Sequence, residues 1–173
     1  MICTPPPPPL AALVVEATRV ASHYVSPLAL PRVCMTDTAN AGEAVPGEVR
    51  FPLRDLEKFS KHPRTWDRYT VSVVLHEVLH QYGMDDWPTR SAHQAESEEG
   101  VVSTVTRDLL PALERNAKIR PWARSAGVEI IHPHYRPFAA RVYAVAPKGR
   151  AGKAWRADLI QRDAATRDVM LRG

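Results

Sequence analysis

Between residues 10 and 25 the apolar side chains Leu10, Leu13, Val14, Ala17, Val20, Ala21 and Tyr24 recur at three- and four-residue intervals, the period of one face of an α-helix. Pro27 and Pro31 follow and end it. Residues 32–36 and 48–51 are short runs of β-forming character, separated by a polar turn around Gly42 to Gly47, and they predict a small sheet. Residues 61–68, interrupted by Pro63, read as a loop. Thr70 or Ser72 then offers a cap for a second helix that carries Val73, Val74 and Leu75 and stops near Gly83. After a turn over residues 85–89, the pattern predicts a third helix from Ser91 to about Ala117, bent or interrupted at Pro111, where a backbone donor is missing.

The downstream third reads differently. Residues 128–131 and 140–145 are predicted strands, the second alternating apolar and polar positions, and the two could pair as a hairpin. Residues 147–153 form a basic, glycine-containing linker, and residues 154–171 a terminal helix. At the other end, Pro5 to Pro9 predict a polyproline II spacer, either a docking ligand or a stiff disordered leader. The expected organisation is therefore a proline-rich leader (1–9), a main domain (10–118), a strand pair or extension (119–146) and a basic linker with a terminal helix (147–173). The fold class is α+β, with a small mixed sheet packed on the N-terminal helix and on the second helix.

Length and composition set the frame for this pattern. One hundred and seventy-three residues suit one compact core with tails, and 45% hydrophobic with 24% charged residues is an ordinary globular balance. The start lacks a basic segment ahead of an apolar one, and no apolar run reaches the length of a membrane span, so the chain is expected to be intracellular, without a signal peptide and without membrane contact. Cys3 and Cys34 are too few for a disulfide framework and fit a reducing compartment. The net charge of +4 is unevenly distributed: residues 1–114 carry 10 basic and 15 acidic groups, residues 115–173 carry 13 and 4. A basic C-terminal third with Trp155 could grip phosphate and stack on a base, so nucleic acid is one candidate partner, with a solvated basic tail as the plain alternative.

The second helix contains the chemistry. His76-Glu77-Val78-Leu79-His80 is an H-E-x-x-H pattern, which a composition like this one produces by chance about 2% of the time. Residues four apart on a helix lie one above the other, so both imidazoles project from one face and can take two corners of a tetrahedral Zn²⁺ site. Glu77, beside the first histidine, can reach a water on the ion without ligating it, and act as general base. The flanking Val73, Val74, Val78 and Leu79 bury the helix sides.

A catalytic zinc keeps three protein ligands and one open position, so a third ligand is expected. On the third helix Val102, Val105, Leu109 and Leu113 define an apolar face, and helical phase puts Glu98 near its centre, where an unpaired carboxylate is costly and metal coordination would relieve the cost. Glu99 lies to one side. His93, at the polar start of that helix, is a weaker candidate. His132 and His134, with Tyr135, could bind substrate or stabilise a tetrahedral intermediate, although Pro133 between the histidines fits a plain surface turn. Tyr82 and Trp87 suit core or pocket walls.

His76-Glu77-x-x-His80 followed by Glu99-Gly100 resembles the gluzincin branch of the zincin metallopeptidases, over roughly residues 70 to 113. That resemblance implies a minimal zincin-like domain and favours Glu99 as third ligand. His76-Glu77-x-x-His80-x-x-Gly83-x-x-Asp86 also resembles the metzincin variant of the motif, which implies Asp86 instead, although Gly83 could equally cap the helix and no methionine occurs between Met84 and Met170 to make that branch's methionine turn. Glu98, Glu99 and Asp86 all remain open. The expected activity is a zinc-dependent metallopeptidase acting on a peptide or protein substrate, in a processing or regulatory role such as a phage or other mobile element would use. The alternative is a catalytically silent zincin-fold assembly or regulatory protein whose basic last third is unrelated to the metal site.

Overall fold

The computed structural model describes residues 3–39, 41–83, 91–117 and 132–172. In chain order these form α1 (Pro8–Tyr24), β1 (Arg32–Thr36), β2 (Glu43–Val45), β3 (Glu48–Pro52), α2 (Leu56–Ser60), α3 (Arg68–His80), α4 (Ala92–Asn116), α5 (Arg136–Val145), α6 (Gly149–Leu159) and α7 (Ala164–Arg172). The fold is α+β: a three-stranded mixed sheet and, among the described residues, seven helices.

The apolar stripe of α1 is buried at Leu10, Leu13, Val14, Ala17, Val20 and Ala21, facing α3 and α4. The proline run is shorter as a spacer than expected. Pro8 and Pro9 open α1, because a first-turn residue has no intrahelical use for an N–H and proline's fixed φ already suits the helix. Thr4 is not disordered either. Its N–H donates to Met35 O (3.0 Å) and its carbonyl accepts from Met35 N (2.9 Å), which brings the tail alongside β1. Cys3 therefore sits next to Cys34, and the two form a disulfide, contrary to the expectation of reduced thiols.

The sheet order is β1-β3-β2, with β1 parallel and β2 antiparallel to β3. Strand β2 lies inside what the sequence reads as a polar turn. Only Pro46 and Gly47 make the turn, proline fixing its first central residue and Gly47 taking a φ of +73° that other residues resist, so Val45 faces Glu48 directly. Met35, Val49 and Phe51 go into the core with Phe59 of α2, a helix the sequence reading did not anticipate, and Trp66.

Helix α3 starts earlier than expected. Asp67, not Thr70 or Ser72, is its cap, accepting from Thr70 N at 2.8 Å and from the Thr70 hydroxyl at 2.8 Å. Helix α4 is capped by Ser91 in a reciprocal pair with Gln94, as a capping box requires. It passes through Pro111 without interruption. Leu109, Leu110, Ala112 and Leu113 are all buried around that proline, and burying four apolar side chains outweighs a lost hydrogen bond and ring clash of about 3 kcal/mol.

Two expectations for the last third are corrected. Residues 140–145 are not a strand but part of α5, whose buried Ala139 and Val142 are three apart. The terminal helix is two helices, α6 and α7, broken between Leu159 and Ala164, and both pack against α4. The predicted strand at residues 128–131 and the turn at residues 85–89 lie outside the described residues.

Candidate metal centre

Helix α3 presents two faces. Val74, Leu75, Val78 and Leu79 are buried in the core, while Tyr69, Ser72, Val73, His76, Glu77 and His80, spaced three and four apart, line a cleft of about 470 Å³. Residues Ala41 to Ala44, running into β2, form another wall, and Glu99 and Ser103, one turn apart on α4, form a third.

His76 and His80 point the same way. Their Nε2 atoms are 3.1 Å apart, Glu99 Oε2 lies 3.0 Å from His76 Nε2, and Glu99 Oε1 lies 3.4 Å from His80 Nε2. One ligand atom from each of His76, His80 and Glu99 falls within 4.8 Å of the others, a group able to hold a metal ion. A tetrahedral ion with ligands at 2.0–2.1 Å separates neighbouring ligand atoms by about 3.3–3.4 Å, so the spacing fits, and the two-imidazole, one-carboxylate donor set is one that zinc accepts. Burial alone would push the Glu99 carboxyl up, but the charge of His80 and the hydrogen bonds from His76 and His80 together hold it far below the usual carboxylate range.

Glu98 is on the same helix one residue earlier and does something else. It is 1% exposed, and its Oε1 accepts from His80 Nδ1 at 2.9 Å, on the far side of the ring from Nε2. Its Oε2 accepts from Arg167 Nη2 at 3.2 Å. The helical phase that put Glu98 on the buried face is right, but an arginine partners the carboxylate there. The Glu-Gly pair also has a packing reason: a Cβ on Gly100 would stand 2.6 Å from Phe138 Cβ and 2.8 Å from the Phe138 carbonyl carbon, so glycine lets α5 lie directly on α4.

Glu77 is 8% exposed and opens onto the cleft beside His76. Burial pushes its carboxyl up; the charges of His76 and His80 oppose this, and Glu99 and Glu43 add to it. Its neighbour is Gly42, where a Cβ would meet Glu77 Cγ at 2.6 Å and Oε1 at 2.8 Å. A second support comes from Gln81, the residue after the motif. Its side chain accepts from Gly47 N (2.9 Å) and donates to Val45 O (3.1 Å) and Glu48 O (3.2 Å), fastening the β2–β3 hairpin to the end of α3. Sequence reasoning missed Gly42, Gln81 and Arg167, since each acts through a contact that only the fold creates.

Other candidates separate cleanly. His132 and Tyr135 line the cleft; His134 lies outside it, mostly exposed, with Nε2 3.5 Å from Glu96. Tyr135 is held above its ordinary pKa by burial and then by the charges of Glu99, Glu77 and Glu96, so it keeps its phenolic proton. His93 stacks edge-on near Phe138, with ring centres 6.4 Å apart, and is not in the metal group. Tyr82 donates to Ser26 O at 2.5 Å and is a packing residue. Asp86 and Trp87 lie outside the described residues. The basic last third is not separate from the site: Arg167 reaches Glu98, and Arg156, also buried, pairs with Asp108 at 2.7 Å. Trp155 packs against the core. Among the described residues no helix is long and apolar enough to cross a membrane. No protein-family model, curated protein or solved structure matches the chain.

Proposed function

We propose that the chain is a zinc-dependent hydrolase of the metallopeptidase kind, with His76, His80 and Glu99 as ligands and Glu77 as general base. The observation that carries this reading is the convergence of His76, His80 and Glu99 on one point of an open cleft while a second carboxyl, Glu77, stands beside them outside the ligand group. Zinc bound there would polarise a carbonyl and make a water acidic enough to attack near neutral pH.

The chain's own groups divide the remaining work. Glu77 takes the proton from the attacking water and delivers it to the departing amine. Its position against Gly42 keeps the carboxyl aimed into the cleft. Tyr135, protonated and facing the same space, is a donor for the oxygen that gains charge. Gly42, Glu43 and Ala44 supply the wall along which an extended peptide can lie, since among the described residues β2 is an edge strand of the sheet with no strand partner on its outer side.

The test is to load purified protein with zinc and screen it against a peptide library beside Glu77→Gln. Cleavage by the wild type, with a loss of about 100- to 10,000-fold in the variant and unchanged zinc content, is expected. Zinc binding without any cleavage, and no difference between the two proteins, would instead support the silent assembly role.

A further inference from the structure

An imidazole can ligate an ion only through a nitrogen that carries no proton, and which nitrogen that is depends on what the other one touches. For His80 the partner is Glu98. A carboxylate only accepts, so Nδ1 must be the donor across the 2.9 Å contact, and Nε2, which faces His76 and Glu99, is the nitrogen left to ligate an ion once it gives up any proton of its own. Glu98 is itself buried to 1% exposure, and a carboxylate in such a place needs a cation to balance and orient it. Arg167 provides one from a helix 69 residues away in sequence, itself only 2% exposed.

We propose that Arg167 is a positioning residue of the metal site, acting through Glu98 to hold His80 with Nε2 toward the ion. The proposal rests on the ligand set His76, His80 and Glu99. It makes α7 part of the metal centre: the ring of a ligand on α3 is oriented by a side chain on α4, which is oriented in turn by one on α7. Arginine suits the role because its planar fork donates to a carboxylate oxygen at fixed geometry.

The experiment measures the Zn²⁺ dissociation constant by chelator competition in the full chain for wild type, Arg167→Met, Arg167→Lys, Glu98→Ala and the Arg167→Met/Glu98→Ala double variant, with the Tm of each metal-free protein. Arg167→Met is expected to bind zinc roughly 10- to 100-fold more weakly, and Arg167→Lys to recover part of that loss. If Arg167 acts through Glu98, the double variant is no weaker than Glu98→Ala alone. A folded Arg167→Met with wild-type affinity, or losses that simply add in the double variant, overturns the proposal. Should Arg167→Met fail to fold, the ¹⁵N shifts of His80 in the metal-free wild type decide: a proton on Nδ1 is expected, and a ring protonated at Nε2 with Nδ1 bare overturns it. Wild-type protein that takes up no zinc fails in a different way, by removing the ligand set itself and this proposal with it.

Discussion

Glu99 Oε2 lies 3.0 Å from His76 Nε2, while the carboxylate of Glu98 turns to the opposite side of the His80 ring. Two adjacent glutamates on one helix thus point about 100° apart, one toward the space between the imidazoles and one toward the core. Their substitutions should differ accordingly. Glu98→Ala is expected to weaken zinc binding roughly 10- to 100-fold by freeing the His80 ring, and Glu99→Ala by more than that, since it removes a ligand. Chelator competition on the two variants checks the order. The reverse order would mean that Glu98 is the ligand.

Gly42 should matter for rate and not for metal. A methyl group there would stand 2.6 Å from Glu77 Cγ, so Gly42→Ala must move either the carboxyl or the segment before β2. The expected result is a fall in kcat of about 100-fold with zinc content unchanged, because a shift of the order of 1 Å in a reacting group costs about that much. Equal activity in Gly42→Ala would show that Glu77 is not held from this side.

Gly100→Ala should destabilise the fold. The added Cβ meets the carbonyl carbon and Cβ of Phe138 below 3 Å, and backbone cannot swing away as a flexible side chain could. A loss of about 1–3 kcal/mol in denaturant unfolding is expected. A change below a few tenths would contradict the close approach of α5 to α4.

The cap of α3 gives the stability of the fold a pH dependence at the acid end. Burial by itself raises the Asp67 carboxyl, but hydrogen bonds from Thr70 and the charge of Lys58 together pull it below its ordinary value of 3.8. A depressed folded-state pKa means a stabilisation fully present above about pH 3.8 and lost as pH falls through the lower folded value. Asp67→Asn keeps a capping oxygen and has nothing to titrate. The stability difference between wild type and Asp67→Asn should be flat near neutrality and should shrink below about pH 4. A difference that stays constant down to pH 2 would contradict the assigned cap.

The helices α1, α3 and α4 were legible because each buries a stripe at three- and four-residue spacing, and the H-E-x-x-H pattern was legible because its chemistry is local to one helix turn. Residues 140–145 misled because six positions fit both a period of two and one of 3.6; the decisive buried residue, Ala139, lies just outside that window. Strand β2 was hidden by its length of three residues and by the turn-forming Gly42 before it and Pro46-Gly47 after it. The choice between Glu98 and Glu99 needed the fold, since helical phase says which carboxylate is buried but not that Arg167 of α7 arrives to meet it. The charge count misled in the same way: a sum of +9 over residues 115–173 does not distinguish solvated arginines from Arg156 and Arg167, which are buried and paired.

The most direct measurement is zinc stoichiometry by elemental analysis of folded, zinc-equilibrated protein after removal of excess metal, for wild type, His76→Ala, His80→Ala and Glu99→Ala. One equivalent per wild-type chain, and well below one in every variant, is the expected result. A correctly folded wild type without zinc, or a His80→Ala protein that retains a full equivalent, would contradict the metal centre.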